Sequence, residues 1–203
     1  MFEKDEIKIL GSLNTPSKIQ DFLNGLNVNF EEKGDSCLSP RMVLKERKAH
    51  CVEGAMFAAA ALRFHGHKPL VVDLESNKKD FDHVVAVFKK DGCWGAIGKT
   101  NHAVLRYREP VYKTVRELVM SFFHEYFLND GGAKTLRRFS MPVNLSKFDK
   151  FGWTTSEEEV WYIPEFLTGV KHYDILTRSQ IQSLRRADKI EILAGELVEE
   201  NFE

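Results

Sequence analysis

The segment from Cys51 to His65 limits what this chain can fold into more than any other. It holds five alanines, has apolar residues on almost every helical face, and is followed by Gly66. A helix that is apolar on all sides is normally buried, and glycine is a common stop signal. We therefore predict a central buried helix, which its neighbours approach closely because alanine is small, with Cys51 in its first turn.

Two shorter helices are predicted before it, because Thr15 and Ser39 are capping residues followed by proline. Proline suits the first helical position, since the N–H that it lacks would have no partner there. The first of these helices is expected to run to Leu26, and the second from Arg41 to about Lys48.

Strands are predicted after the central helix. Residues 69–74 and 83–88 are short runs rich in valine, and an Asp-Gly turn predicts that residues 93–97 return as a hairpin partner. This pattern indicates a small antiparallel sheet.

The remainder of the chain is predicted to be mainly helical. Apolar spacing indicates helices near 115–127 and 179–187, whereas residues 131–177 follow no clear pattern. Helices, then a small antiparallel sheet, then further helices are typical of the α+β class.

Composition excludes several classes of function. The chain has 203 residues, which suits one domain, and its 29 basic and 30 acidic side chains are unlike the balance of a nucleic-acid-binding protein. No run of about 18 apolar residues is present, so we expect no membrane-spanning helix. The start of the chain does not look like a signal peptide and its three cysteines cannot all pair, so we expect reduced thiols in the cytoplasm. No CxxC pair is present, and we expect no metal or cofactor.

The near-neutral total hides three uneven segments. Residues 40–68 have six basic and two acidic side chains, residues 99–116 have five and one, and residues 188–203 have one and six. Such blocks are usually solvated faces. The two basic segments also lie around Cys51 and the strands after it, where they would favour a thiolate and an acidic substrate. The acidic tail is either a solvated end or an intramolecular cover for that surface.

Cys51 and His83 form the candidate catalytic pair. The first turn of a helix has unpaired N–H groups and a partial positive charge, which stabilise a thiolate and lower the pKa of a cysteine placed there. His83 begins a predicted strand, so packing of the sheet on the helix start would bring its imidazole to the sulfur as general base. A third polar group would orient the ring, as in cysteine hydrolases and acyl transferases.

The same region resembles the core of the transglutaminase-like superfamily. Residues 49–55, AHCVEGA, place a cysteine at the start of the central helix, and residues 61–70, ALRFHGHKPL, resemble the family's Leu-Arg-x-x-Gly turn into a strand. Residues 82–88, DHVVAVF, resemble the histidine-bearing strand, and residues 93–97, CWGAI, resemble the tryptophan-bearing strand after it. The resemblance implies a papain-like α+β fold and Cys-His-Asp catalysis on amide or related acyl bonds. Members of the family include transglutaminases, peptidases and peptide N-glycanases, and some have lost activity.

The match extends over roughly residues 41–100. We therefore predict a single domain over residues 1–203, with a family-like core at about 39–112 and a helical C-terminal extension at about 113–203. In the core, the buried Cys-bearing helix is expected to pack on the small antiparallel sheet.

One family position differs in this chain. The family usually has an aspartate a few residues after the tryptophan, whereas residues 95–100 read GAIGKT and include no carboxylate. Asn101 is the nearest side chain that could accept a hydrogen bond from the imidazole, and amides have this role in papain-like enzymes. Thr100 and a backbone carbonyl are the alternatives. The predicted catalytic residues are therefore Cys51, His83 and Asn101.

Other reactive residues have simpler interpretations. Cys37 and Cys93 are not at a predicted helix start, so we expect them to be structural. His50 fits either a lining residue of the site or an ordinary helix-terminal histidine. His65 and His67 have no nearby carboxylate pair to complete a metal site.

The sequence thus predicts a cysteine-dependent hydrolase or acyltransferase that acts on an amide-type bond in a peptide, a protein or a small molecule. Hydrolysis is favoured over crosslinking because the chain has no calcium-loop signature. A catalytically degenerate transglutaminase-like binding module is the alternative, since the family aspartate is missing. A redox sensor based on Cys51 is a third hypothesis.

Overall fold

The structure is a computed structural model, and it describes residues 1–31 and 34–198. Helices and an antiparallel sheet are both present, so the predicted α+β class is confirmed. The helices are α1 (Lys4–Ser12), α2 (Pro16–Asn24), α3 (Pro40–Glu46), α4 (Cys51–Phe64), α5 (Val115–Phe123), α6 (Tyr162–Gly169), α7 (Arg178–Gln182) and α8 (Lys189–Gly195), with a 3₁₀ helix at Leu145–Phe151. The strands are β1 (Asn27–Val28), β2 (Lys48–Ala49), β3 (Leu70–Ser76), β4 (His83–Lys90), β5 (Cys93–Ile97), β6 (Arg108–Tyr112), β7 (Leu136–Ser140), β8 (Val143–Asn144) and β9 (His172–Asp174).

The helix starts that the sequence indicates are confirmed. The Thr15 hydroxyl accepts a hydrogen bond from the backbone N–H of Lys18 at 3.2 Å, and the Ser39 hydroxyl accepts one from that of Met42 at 3.3 Å. In both cases the next residue is a proline at the first helical position. These caps satisfy N–H groups that have no partner within the helix.

The sheet of the described chain is larger than predicted. Its strands follow the order β6-β5-β4-β3-β7-β9, and β8 pairs with the other end of β3. All of these neighbours are antiparallel. A separate parallel pair, β1 with β2, leads into α4.

The prediction of a helical C-terminal extension is wrong in one respect, because residues 113–203 supply β7, β8 and β9 to the main sheet. These strands are short, and β7 reads LRRFS. Pairing with β3, or with β7 in the case of β9, therefore decides their conformation, and their own hydrophobic pattern does not predict a strand. The helix predicted at 179–187 is also shorter than expected.

Both faces of the sheet are covered by helices. Along β4, Val84 and Ala86 face the core that contains α4, whereas Val85 and Val87 face the core that contains α5. This alternation follows from the period of two in a strand. Helix α4 is buried continuously from Val52 to Leu62, so the predicted central helix is confirmed.

The described helices include none that is both long enough and apolar enough to cross a membrane.

Candidate active site

The start of helix α4 defines the site. Cys51 is the first helical residue, and His50 occupies the preceding capping position. Glu53 reaches back, and its carboxylate accepts a hydrogen bond from the backbone N–H of His50 at 2.9 Å. An acidic residue three positions after the cap is the sequence signature of this arrangement, and the helix dipole favours its negative charge. The local sequence therefore fixes Cys51 at the helix N-terminus.

Glu53 is fully buried and holds the segment before α3 against this helix start. Its carboxylate accepts hydrogen bonds from the Asn29 amide at 3.1 Å, the Leu38 backbone N–H at 2.7 Å and the Ser36 hydroxyl at 3.3 Å. A buried carboxylate with this many donors is stable only because each oxygen is satisfied. Sequence analysis did not identify Glu53, although its position after His50 matches a capping signature.

The His50 ring lies among negatively charged and accepting groups. Its Nε2 is 3.0 Å from the Ser36 carbonyl oxygen, 3.5 Å from a Glu53 oxygen and 3.6 Å from a Glu31 oxygen. A carbonyl can only accept, so Nε2 carries a hydrogen. Burial opposes a charge on this ring, but a hydrogen bond with the Cys51 side chain and the charge of Glu53 raise the pKa of His50 to about 9.

His83 lies at the start of β4, where the sequence predicts it, and is buried. Its Nε2 is 3.3 Å from the carbonyl oxygen of Leu105, a residue in the left-handed backbone region with φ of 62°. A Cβ at Gly98 would lie 3.3 Å from that oxygen and 3.4 Å from Nε2, so glycine leaves room for this contact. A strained non-glycine residue next to a reactive group is typical of functional sites.

The imidazoles of His50 and His83 both act on the pKa of Cys51. Burial on its own would raise the pKa of the thiol, but hydrogen bonds with His50 and with His83, together with the charges of both rings, lower the pKa of Cys51 to about 5. The structure therefore brings together the two residues that the sequence predicts as nucleophile and base. It adds His50, for which the sequence left a lining role open.

Asn101 lies in the lining of the same cavity, and the contact that the structure shows at His83 Nε2 is with the Leu105 carbonyl. The orienting contact comes from the Leu105 carbonyl, which corresponds to the backbone-carbonyl alternative. The position of Leu105 depends on the irregular loop between β5 and β6, and residue order along the strand gives no signal for it.

A cavity of about 320 Å³ opens in front of Cys51. Tyr126 forms part of its wall, and the Tyr126 hydroxyl donates a hydrogen bond to the Phe81 carbonyl at 2.6 Å. Burial raises the pKa of Tyr126, so this phenol stays protonated. The Phe81 side chain is 90% exposed in the cavity lining beside His83.

The C-terminal segment borders this cavity. Gly195 is part of the lining, and the Leu197 carbonyl accepts a hydrogen bond from the backbone N–H of Ala103 at 3.2 Å. Residues 195–198 therefore border the cavity, whereas residues 199–203 lie outside the described chain, and an acidic cover for the basic surface stays a prediction.

The basic segments contribute less to Cys51 than expected. Lys99 lines the cavity, but its ammonium donates to the Leu26 carbonyl at 2.7 Å. Three arginines of these segments pair with carboxylates: Arg41 with Glu6, Arg63 with Asp149 and Arg108 with Glu125. The positive charge that acts most strongly on the thiolate comes from the two histidines.

Across residues 1–31 and 34–198, no group of three or more histidine, cysteine, aspartate or glutamate side chains is arranged to hold a metal ion. His65 hydrogen-bonds the Leu10 carbonyl at 2.8 Å, which gives it a structural contact at the end of α4.

Comparisons with known proteins add no family to this geometry: no protein-family model matches the chain, and no curated protein matches it either. The functional inference therefore depends on the arrangement of side chains around Cys51.

Proposed function

We propose that this chain is a cysteine-dependent hydrolase or acyltransferase of the transglutaminase-like class, acting on an amide-type bond. One observation carries the proposal: a cysteine at the N-terminus of a buried helix lines a cavity together with the imidazoles of His50 and His83, which lower its pKa. A thiolate is the reactive form of cysteine, and a helix start with adjacent histidines is the environment that produces it.

The proposed reaction proceeds in two stages. The Cys51 thiolate attacks the substrate carbonyl carbon, so that a C–S bond forms and the carbonyl π electrons move to oxygen. The C–N bond then breaks as the carbonyl re-forms, and the leaving nitrogen takes a proton from the His83 imidazolium. Neutral His83 next removes a proton from water or an amine, which attacks the acyl-enzyme and releases Cys51 as the thiolate.

The Leu105 carbonyl takes the orienting role in this proposal. It accepts the hydrogen on His83 Nε2 and so leaves the other ring nitrogen for the sulfur. A carbonyl orients the ring without the full negative charge that a family aspartate would supply.

The substrate class is an amide in a peptide, a protein or a small molecule, and the proposed compartment is the cytoplasm, where thiols stay reduced. An acidic substrate stays a prediction. The cavity lining contains Asp80, Asp82 and Glu125 together with Lys99, so its charge does not favour an acidic ligand.

A binding module that has lost catalysis is the second candidate, and the neutral partner of His83 favours it. Such a protein would retain the cavity and the reactive thiol but would not turn over an acyl-enzyme.

Alkylation of the three cysteines tests the nucleophile. At pH 6 most of Cys51 would be thiolate, whereas the pKa of Cys37 is raised to about 12. After allowance for the lower nucleophilicity of a low-pKa thiolate, iodoacetamide should modify Cys51 about 300-fold faster than Cys37, as followed by peptide mass spectrometry. Equal rates for Cys51, Cys37 and Cys93 near neutrality would contradict an activated thiolate.

A measurement of acyl transfer distinguishes the proposed enzyme from the alternative of a binding module that has lost catalysis. With p-nitrophenyl acetate as a generic acyl donor, the enzyme should release nitrophenol continuously and carry one acetyl group on Cys51. The Cys51→Ala variant should do neither, and Cys93→Ala is the matched control that should do both. Acetylation of Cys51 without continued turnover would support the binding module.

A further inference from the structure

The two histidines at Cys51 have different surroundings. His50 faces the carboxylates of Glu31 and Glu53 at 3.6 and 3.5 Å, and the Ser36 carbonyl at 3.0 Å. His83 faces the Leu105 carbonyl, and among the described residues no carboxylate forms an ion pair with its ring. Negative neighbours favour an imidazolium, so the surroundings of His50 support a permanent positive charge on its ring.

The position of His50 is fixed by buried contacts. Glu53 accepts from the His50 backbone N–H, and it also accepts from Ser36 and Leu38, which places the Ser36 carbonyl at the His50 ring. Glu31 is held by its own contact, because its carboxylate accepts from the Ser36 backbone N–H at 2.7 Å. These contacts fix the His50 ring beside Cys51 at the helix start, and the two carboxylates supply the negative charge that favours its protonated form.

We propose that His50 is a second catalytic residue, which pairs as an imidazolium with the Cys51 thiolate, and that buried Glu53 is its positioning residue. The inference rests on the proposed nucleophilic role of Cys51. In a simple Cys-His pair one histidine performs two tasks, and here each histidine performs one of them. His50 keeps the thiolate ionised, and His83 carries the proton between leaving group and water.

This division has a specific chemical consequence. Because His50 keeps its proton throughout, the thiolate persists when His83 loses its own proton to the leaving nitrogen. Thiolate formation and proton transfer should then respond to different substitutions. The titratable groups nearest Cys51 are His50, with Glu31 and Glu53 behind its ring, and His83 on β4. The same cavity is also lined by Asp80, Asp82, Lys99, His102, Glu125 and Tyr126.

The test compares His50→Gln and His83→Gln by two measurements. The first is the pH dependence of iodoacetamide alkylation at Cys51 between pH 4 and 9, and the second is steady-state hydrolysis of p-nitrophenyl acetate. In His50→Gln we expect the midpoint of alkylation to rise by about two pH units, so that the rate at pH 6 falls about tenfold. In His83→Gln we expect a smaller rise of the alkylation midpoint than in His50→Gln, about one pH unit or less, while hydrolysis falls about 100-fold or more.

Glu53→Gln keeps the shape of the side chain and removes its charge. We expect it to raise the alkylation midpoint by about one pH unit while circular dichroism shows a folded chain. Nitrogen NMR of the histidine rings of the unmodified protein provides a measurement that needs no variant. At pH 7 both ring nitrogens of His50 should be protonated.

The outcomes distinguish this inference from the proposed function. A larger midpoint shift in His83→Gln than in His50→Gln, or a neutral His50 ring at pH 7, would overturn the role of His50 and leave Cys51 as the nucleophile. A Cys51 that reacts no faster than Cys93 and accepts no acetyl group would overturn the proposed function itself.

Discussion

Cys37 and Cys51 are the same chemical group in opposite electrostatic environments. The pKa of Cys37 is raised to about 12 by burial, with the charge of Glu53 as the next cause. The pKa of Cys51 is lowered to about 5, since hydrogen bonds with His50 and His83 outweigh the effect of burial. The charge of Glu53 acts on the pKa of Cys37 directly and on that of Cys51 through His50, so both thiols respond to the same buried carboxylate.

The difference between the two thiols shows that the His50 imidazole determines whether the charge of Glu53 raises or lowers the pKa of a nearby cysteine. At Cys37 the charge of Glu53 adds to the effect of burial and raises the pKa of the thiol. At Cys51 the same carboxylate acts through His50, whose protonated form it stabilises. One buried charge thus adds to the burial that keeps Cys37 protonated, and it helps to make Cys51 reactive.

Replacement of Glu53 by leucine should have the largest effect on both cysteines, because it removes the carboxylate that acts on each of them. Its loss leaves the Asn29 amide and the backbone N–H groups of Leu38 and His50 without their buried acceptor. We expect the free energy of unfolding to fall by about 3–5 kcal/mol, measured by urea denaturation.

The matched control for this substitution is Glu157→Leu, at an exposed glutamate, which should change the stability by about 0.5 kcal/mol or less. If Glu53→Leu were no more destabilising than this control, the Glu53 hydrogen bonds would not hold the helix start.

The sequence was sufficient to predict the residues that are defined by local pattern. Cys51 follows from the start of an apolar helix, and His83 from the start of a valine-rich strand, so both are placed by the periods of their own elements. The β4–β5 hairpin was also predicted, because an Asp-Gly turn fixes its register locally.

The residues that sequence analysis missed depend on contacts distant in the chain. Leu105 reaches His83 through a loop 22 positions away, and Asn29 reaches Glu53 across 24 positions. A backbone carbonyl has no residue type by which to recognise it, so Asn101 was the natural choice for the third position. The strands β7 and β9 were missed for a related reason, since tertiary pairing decides their conformation.

Gly54→Ala should separate the two cysteines, because it disturbs the surroundings of Cys51 and leaves those of Cys37 unchanged. A Cβ at Gly54 would lie 2.4 Å from the Lys99 Cβ, so the buried Lys99, two residues after β5, would have to move. We expect a loss of about 1–3 kcal/mol in the free energy of unfolding and slower alkylation of Cys51, with Cys37 unchanged.

Gly11→Ala is the matched control, because the nearest atom to its added Cβ lies 4.0 Å away and the residue is in helix α1. This substitution should be neutral or stabilising by up to about 1 kcal/mol. Equal effects of the two substitutions would show that the contact between α4 and Lys99 is not close in solution.

The smallest expected effect is a difference in how the two cysteines couple stability to pH. The folded-state pKa of Cys51 is about 5 against an ordinary 9.0, so its stabilising contribution is lost as pH falls towards 5 and is fully present above 9.0. His50 has a folded-state pKa of about 9 against 6.5, so its contribution is fully present below 6.5 and is lost as pH rises towards 9. In the unmodified protein the two contributions therefore increase stability from pH 5 to 6.5 and largely offset each other above it.

Cys37 has the opposite sign and a different window. Its folded-state pKa of about 12 lies above the ordinary 9.0, so its contribution is constant below pH 9.0 and is lost only in strong base. The stability gap between wild type and Cys51→Ala should thus widen by about 1–2 kcal/mol between pH 5 and 6.5, as measured by urea midpoints. The gap to Cys37→Ala should stay constant over the same range, since only its packing is lost. Parallel pH profiles for the two variants would mean that Cys51 is protonated in the folded protein, and the contrast between the two thiols would then be one of packing alone.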